Sequence, residues 1–190
     1  MRQLAHRATV AIVSTHSEVD ADARALASVL RIRILRLCLD ESLTNKQIAE
    51  RLGKDPASTY HHVRTLASRG FLEAQPERRG TRGAREVPYR ATGKSWRTDI
   101  GEAGGRILIE TFLEEVAEAP PSSVLVSRLG VRLRADDYVE LQRRLGELLQ
   151  EYADREPDAE GDPYSIFLAL HEDAARRPHP DRAHPDRAPP

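Results

Sequence analysis

The sequence predicts a mainly helical α+β fold. In four stretches apolar residues recur every three or four positions, the spacing that puts them on one face of a helix. These stretches are residues 22–38, 44–69, 95–119 and 135–155. Shorter apolar and aromatic runs at 71–75 and 87–92 are typical of strands. The length of 190 residues is enough for one or two small domains.

The composition argues against a secreted or membrane-spanning chain. Cys38 is the single cysteine, which excludes an internal disulfide and a metal site built from several thiolates. It stands in the apolar run ILRLCL, so we expect a buried thiol. No apolar run approaches the roughly 20 residues that cross a bilayer. The apolar run near the N-terminus, ATVAIV, is too short for a signal peptide. We therefore expect a cytoplasmic protein without a membrane partner.

Charge is divided unevenly along the chain, although the formal net charge is only −1. Residues 24–97 carry 16 Lys and Arg against 7 Asp and Glu, whereas residues 98–190 carry 11 against 20. A basic surface is what a polyanion requires, because each neutralised phosphate releases counterions. We expect the two halves to have different partners, the alternative being that these charges only solvate two surfaces.

Residues 44–69 predict two short helices joined by a tight turn. Thr44 and Gln47 have the spacing of a capping box, and a glycine follows the first helix, where a left-handed residue would end it. Asp55 and Pro56 are suited to be the cap and the first residue of the second helix. Two short helices that cross closely are typical of a helix-turn-helix.

The second helix, residues 55–69, is expected to turn polar and aromatic side chains outward. Thr59, Val63 and Leu66 form its inward stripe. The outward positions are Asp55, Ala57, Ser58, Tyr60, His61 and Arg64. Their hydrogen-bonding groups suit the base edges of a DNA major groove. The alternative for this segment alone is an ordinary helical hairpin with a solvated face.

A basic loop between two predicted strands follows directly. Residues 77–86 contain two glycines and the arginines Arg78, Arg79, Arg82 and Arg85. Beside a helix-turn-helix, such a hairpin is the wing of a winged helix, and its arginines are placed to reach phosphates or a minor groove. Pro88 predicts an edge position for the second strand, because proline cannot donate to a ladder.

The segment LASVLRIRILRLCLDESLTNKQIAERLGKDPASTYHHVRTLASRGFLEA resembles the winged helix-turn-helix of the ArsR family of bacterial transcriptional regulators. Family members typically show a leading helix of the form LxxPxRxxIL and a recognition helix ending in HHLxxL or RHLxxL. These motifs become LASVLRIRIL and HHVRTL here, with Val29 or its neighbour in place of the usual proline and Val63 in place of the usual leucine. The resemblance spans roughly residues 22–97.

The resemblance implies a homodimeric transcriptional regulator that binds double-stranded operator DNA, and we expect a repressor. Residues 55–69 would be the recognition helix in the major groove, and residues 77–86 the wing on the backbone or in the minor groove. The residues expected to contact DNA are Ala57, Ser58, Tyr60, His61, Arg64, Arg78, Arg79, Arg82 and Arg85. The alternative is a winged helix used only for protein assembly, which would tolerate loss of Arg64 and of the wing arginines.

The best-known members of this family sense metals, and their ligands are missing here. Cys38 has no cysteine partner, and the segment 99–118 has no histidine. His61 and His62 are adjacent, so on a helix they point about 100° apart and do not converge on one ion. We therefore expect no metal and no cofactor. The C-terminal half shows no nucleophile–base pair and no phosphate loop, so we also expect no enzymatic activity.

The predicted organisation has five parts. They are an N-terminal extension (1–20), a winged helix-turn-helix domain (21–97), a linker and dimerisation helix (98–120), a small α/β module (121–172) and a disordered tail (173–190). In the module, VLVSRLGVRLR and YSIFLAL predict strands on either side of a helix at 135–155. The tail repeats HPDRA and is rich in proline. An apolar cleft between the dimerisation helix and the module could hold a small-molecule effector, which the sequence does not specify.

Overall fold

The computed structural model describes residues 18–80, 85–158 and 160–176. The chain divides into two compact units, Met1–Val124 and Leu125–Pro190. The predicted mainly helical α+β fold is confirmed. Within the described ranges, no helix combines the length and the apolar character that a bilayer crossing needs.

Two predictions for the chain ends fall mostly outside these ranges. The predicted N-terminal extension lies outside the described residues up to residue 17, but residues 18–20 are already helical. The first helix therefore begins earlier than the apolar stripe from Asp22 indicates. Of the predicted tail, residues 177–190 lie outside the described residues, and Ala174–Arg176 form a single 3₁₀ turn.

The N-terminal unit contains five helices and five short strands in its described part. In chain order they are α1 (18–26), α2 (Val29–Leu37), β1 (Leu43–Thr44), α3 (Asn45–Arg51), α4 (Pro56–Ser68), β2 (Leu72–Ala74), β3 (Arg78–Arg79), β4 (Arg85–Glu86), β5 (Pro88–Ala91) and α5 (Gly101–Glu118). A 3₁₀ turn, Lys94–Arg97, leads from the last strand towards α5. Residues 27 and 28 are not helical and divide the predicted helical stretch 22–38 into α1 and α2.

The strands form two antiparallel sheets that together make the wing and its base. One sheet has the order β1-β5-β2, and β3 pairs with β4 further out. The predicted edge position of Pro88 is wrong, because β5 is the central strand. Pro88 is tolerated there as the first residue of its strand. Its carbonyl still accepts a hydrogen bond from the Gln75 amide at 2.8 Å.

The core of this unit lies between the helices and the β1-β5-β2 sheet. The most deeply buried apolar side chains are Leu26, Ile34, Cys38, Leu43, Ile48, Val63, Leu66 and Phe71. The Cys38 thiol is fully enclosed, as its apolar surroundings in the sequence predict. Burial raises the pKa of Cys38 to about 12, and the nearby Glu41 carboxylate adds to the rise.

Helix α5 is attached to α2 by ion pairs. An Arg33 Nη2 donates to both carboxylate oxygens of Glu118 at 2.8 and 2.7 Å, and Arg36 Nε lies 2.7 Å from a carboxylate oxygen of Glu115. Single pairs of this partly exposed kind contribute about 1 kcal/mol or less each. Their main effect is therefore to fix which face of α5 turns towards α2.

The C-terminal unit is built around one regular helix, α6 (Ala135–Ala153). The segments predicted as its flanking strands, residues 124–134 and 164–170, form no β-ladder in the described part of the unit. The first segment alternates apolar residues with glycine or arginine from Leu129 to Arg134, and the second is apolar except for Ser165. Their side chains are nearly all exposed, however, so a ladder has no apolar layer to lie on within one chain.

Candidate nucleic-acid interface

Side-chain caps define both helices of the predicted helix-turn-helix. The Gln47 amide donates to Thr44 Oγ1 at 3.3 Å, and the Thr44 amide donates to Gln47 Oε1 at 3.0 Å, which completes the predicted capping box. The carboxylate of Asp55 accepts from the Ser58 amide at 2.9 Å. Gly53 has φ +60°, a left-handed conformation that ends α3 and turns the chain towards α4.

The inward face of α4 fixes which residues face outward. Thr59, Val63 and Leu66 are fully buried, as the sequence predicts. The Thr59 hydroxyl donates to the Asp55 carbonyl at 2.9 Å, so its polar atom is paired inside the core. Asn45 Nδ2 donates to the Pro56 carbonyl at 2.8 Å and links the first turns of α3 and α4.

The outward face of α4 carries a contiguous cluster. All five predicted contact residues of this helix, Ala57, Ser58, Tyr60, His61 and Arg64, are exposed. Arg64 Nη1 donates to the Tyr60 hydroxyl at 3.2 Å, and its guanidinium carbon lies 5.8 Å from the centroid of the Tyr60 ring. The rings of Tyr60 and His61 meet edge to face at 6.3 Å. The guanidinium thus contacts the Tyr60 side chain while Arg64 as a whole stays exposed.

The wing arginines lie in different surroundings. Arg78 Nη2 donates to Gln47 Oε1 at 2.8 Å, which ties the wing to the capping box of α3. Arg79 and Arg85 stand directly opposite each other in the β3–β4 ladder, although like charges in such positions repel. Arg85 Nη1 is 3.5 Å from the exposed carboxylate of Glu77. The fourth predicted residue, Arg82, lies outside the described residues.

A partly buried cluster of ion pairs, formed by Asp22, Arg69 and Lys94, fixes the C-terminal end of α4. Sequence reasoning missed this cluster. The Asp22 carboxylate of α1 accepts from Arg69, the C-cap of α4, with an Nη2–Oδ1 distance of 2.6 Å, and lies 2.6 Å from Lys94 Nζ. Lys94 Nζ also donates to the Arg69 carbonyl at 2.8 Å and lies 4.6 Å from the ring centroid of Phe71. No local pattern could have shown this cluster, because its members are far apart in the sequence.

The charges in this cluster set the ionisation of Asp22. Burial alone would raise the pKa of the Asp22 carboxyl, but the hydrogen bonds and charges of Lys94 and Arg69 outweigh it and hold that pKa below its ordinary value. The carboxylate is therefore ionised at neutral pH and joins α1, α4 and the turn after the wing.

The two adjacent histidines diverge. His61 is exposed on the outward face, whereas His62 is partly buried. Burial lowers the pKa of His62, and electrostatic interactions with Arg31 and His61 lower it further. Among the residues that the structure describes, no three His, Cys, Asp or Glu side chains are grouped to hold a metal ion.

One protein-family model matches the part of the chain at the centre of this interface. The family model of the IclR helix-turn-helix domain matches residues 39–76, which contain α3 and α4. No curated protein sequence matches the chain.

Several solved structures are similar to the chain at low identity. Reduced HlyU from Vibrio cholerae is 20% identical with a TM-score of 0.36, and the match covers 54% of this chain and 94% of that one. An ArsR-like transcriptional regulator from Rhodococcus sp. RHA1 is 20% identical with a TM-score of 0.38, covering 76% and 98%. The homodimeric winged helix-turn-helix DNA-binding domain of a possible ArsR-family regulator from Mycobacterium bovis is 23% identical with a TM-score of 0.35, covering 58% and 88%.

Three observations define the class of this protein. They are the capped helix pair, the three-stranded sheet with its basic hairpin, and the match to a helix-turn-helix family model. It is a winged helix-turn-helix protein.

Proposed function

We propose that the chain is a sequence-specific transcriptional repressor of the ArsR type that binds its operator as a homodimer. Helix α4 would lie in the major groove, and the wing would follow the backbone or enter the minor groove. One observation carries this proposal. The exposed cluster of Tyr60, His61 and Arg64 lies on α4, and the wing is linked to the same helix pair because Arg78 donates a hydrogen bond to Gln47 of α3.

The two parts of this surface would have different roles. Ser58, Tyr60, His61 and Arg64 present donors and acceptors on one helix face, as base readout requires. Arg79 and Arg85 face each other with like charges, so a phosphate between them would relieve their repulsion. Arg78 would orient the wing through Gln47.

Helix α5 is the proposed dimerisation element, in line with the resemblance. One of its faces is attached to α2 through Glu114, Glu115 and Glu118. Ile109 and Leu113 remain about half exposed elsewhere on the same helix. An apolar strip left exposed on a helix that is otherwise anchored is suited to pack against the same helix of a second copy.

The binding proposal is tested by fluorescence anisotropy over a salt series. The full chain is titrated onto duplex DNA from upstream of its own gene and onto a scrambled duplex of equal length and composition. We expect tighter binding to the upstream DNA and a steep loss of affinity with salt, because phosphate contacts release counterions. Equal, weak binding to both duplexes would overturn the proposal and favour a winged helix that serves only protein assembly.

The division of roles predicts two distinct variant phenotypes. Arg64→Ala should weaken binding to the upstream DNA by about 1–3 kcal/mol while changing binding to scrambled DNA much less. Arg85→Ala should weaken both to a similar extent and reduce the salt slope by about one unit. Arg144→Ala, which removes an exposed arginine from α6, is the matched control and should change neither. Equal losses on both duplexes for Arg64→Ala would contradict base readout.

A further inference from the structure

The C-terminal unit has no core of its own in its described part, residues 125–158 and 160–176. None of these residues is buried. Twelve large apolar side chains are exposed, several of them almost completely, such as Leu125 at 96%, Leu129 at 83% and Tyr164 at 84%. A soluble domain does not normally expose so much apolar surface in one place, and such surfaces mark interaction sites.

The apolar residues of this unit, exposed and partly covered, lie on three faces that need a partner. Helix α6 has a stripe that includes Tyr138, Leu141 and Leu145, which are only partly covered. The segment 125–134 places Leu129, Val131 and Leu133 at alternate positions. Ile166, Leu168 and Leu170 do the same in the segment 164–170. Alternation of this kind is typical of strands with one buried face, yet neither segment is paired in a ladder here.

The two segments approach each other around a shared cleft. A cavity of about 500 Å³ is lined by residues from both, including Leu133 and Leu170. Arg132 Nη2 donates to the Arg176 carbonyl at 3.4 Å. The elements of a two-layer module are thus gathered in one chain, but the layer that would cover their apolar faces is absent from the described part of the unit.

We propose that the C-terminal unit completes its core by packing against the same unit of a second copy of this chain. This interface would be separate from the one proposed for α5, and it does not depend on DNA binding. Each copy would contribute its two strand segments and its helix. The apolar faces of the two copies would then pack against each other and form one shared core.

The exposed area favours a second copy over the N-terminal unit as the occupant. Twelve side chains exposed to this degree offer on the order of 1,000 Å², whereas each partner of a standard interface buries roughly 800 Å². The described part of the N-terminal unit exposes only six large apolar side chains, and Tyr60 among them belongs to the candidate DNA surface. The same surface on a second copy matches in size and in apolar character.

The charges of the two segments are compatible with a second copy, and they also meet around the cleft within one chain. The segment 124–134 contains three arginines, Arg128, Arg132 and Arg134, and no acidic residue. The segment 164–173 contains Glu172 and Asp173 and no Lys or Arg. In a two-fold arrangement the contacts are reciprocal, so the basic segment of each copy can lie beside the acidic end of the other.

The first test measures self-association of the full chain by sedimentation equilibrium. We expect the double variant Leu129→Asp/Ile166→Asp to raise the dissociation constant at least about tenfold, because it buries two carboxylates in the proposed interface. Ser165→Asp adds one carboxylate at an exposed position next to Ile166 and should leave association unchanged. Far-UV circular dichroism checks that the helices persist. An unchanged dissociation constant in the double variant would overturn the proposal.

The second test separates contacts between chains from contacts within one chain. Arg132→Glu and Glu172→Lys should each weaken association, because each creates like-charge pairs across the two-fold axis. Mixing the two variants should restore association, since one set of reversed charges then pairs between different chains. If the mixture associates no better than either variant alone, Arg132 and Glu172 interact within one chain. That result would contradict the contact proposed between two copies. DNA binding is measured in parallel, so loss of operator binding with intact association is distinguished from failure of this interface.

Discussion

The two units carry equally clear apolar patterns but differ in what covers them. In the N-terminal unit the pattern closes into a core in which residues such as Ile48, Val63 and Leu66 are completely buried. In the C-terminal unit α6 has an apolar stripe just as regular, yet none of the unit's described residues is buried. Periodicity therefore identifies the face of an element that must be covered, but not the molecule that covers it.

The ion pairs of the two units differ in the same sense. In the N-terminal unit they join distant parts of the chain, as in Asp22 with Arg69 and Arg33 with Glu118. On α6 they are local, with Arg143 between Glu140 and Glu147 at spacings of three and four. Local pairs stabilise a helix by about 0.2–0.5 kcal/mol each but do not dock it onto anything. The first unit is held by tertiary contacts and α6 largely by its own turns.

The largest difference in stability is expected between two leucine-to-alanine substitutions, one in each unit. Leu66→Ala removes a fully buried side chain and should lower the free energy of unfolding of the N-terminal unit by about 2–5 kcal/mol. Leu129→Ala removes a side chain that is 83% exposed and should change that value by less than about 0.5 kcal/mol. Urea unfolding followed by the fluorescence of Trp96, the single tryptophan, reports on the N-terminal unit in both variants.

Each half of this comparison can fail separately. A loss below about 1 kcal/mol for Leu66→Ala would show that the helix-turn-helix core tolerates a cavity. A loss for Leu129→Ala as large as that for Leu66→Ala would show that the exposed surface of the C-terminal unit stabilises the N-terminal one.

An intermediate effect is expected from the ion-pair cluster at Asp22. Asp22→Asn should lower the free energy of unfolding by about 1–3 kcal/mol at neutral pH, because Arg69 and Lys94 lose a charged hydrogen-bond acceptor. The folded-state pKa of Asp22 is depressed, so this stability is present above the unfolded pKa of about 3.9 and is lost as the pH falls through the lower folded value. The two proteins should therefore converge in acid.

The pH dependence decides whether charge is the cause. Asp20→Asn, at an exposed position of the same helix, is the matched control and should change stability little. A stability difference between wild type and Asp22→Asn that stays constant down to acid pH would assign the loss to altered packing.

The parts of the fold that were predictable depend on local rules. The capping box of Thr44 and Gln47, the Asp55 cap and the left-handed Gly53 are each set by residues a few positions apart, and the structure contains all three. The outward face of α4 follows from the same periodicity as its inward stripe. These features are visible in the sequence because neighbouring residues determine them.

The parts that were not predictable depend on partners distant in the sequence. Nothing local to Asp22 indicates Arg69 or Lys94, and nothing in the wing indicates that Arg78 would bond to Gln47. Pro88 was expected at a sheet edge, but its strand is central because both β1 and β2 pair with it. The alternating segments around α6 predicted strands, although a ladder also requires a neighbour in the right register.

The smallest effects on stability are expected from replacing one glycine in each unit by alanine. The two substitutions should change stability in opposite directions. Gly53→Ala places a Cβ on a residue with φ +60°, which should destabilise the N-terminal unit by about 1–2 kcal/mol although nothing lies within 4 Å of the added atom. Gly146→Ala lies inside α6, also with free space around it, and should stabilise that helix by about 1 kcal/mol.

The two substitutions are chemically identical, so opposite signs isolate the backbone conformation as the cause. Trp96 fluorescence in urea measures the first, and loss of far-UV helical signal on heating measures the second at a fixed protein concentration. A destabilising Gly146→Ala would mean that position 146 lies against another surface in the assembled protein. That result would extend the contact on the C-terminal unit beyond the apolar stripe of α6, since a helix that only solvent surrounds at this position gains from alanine.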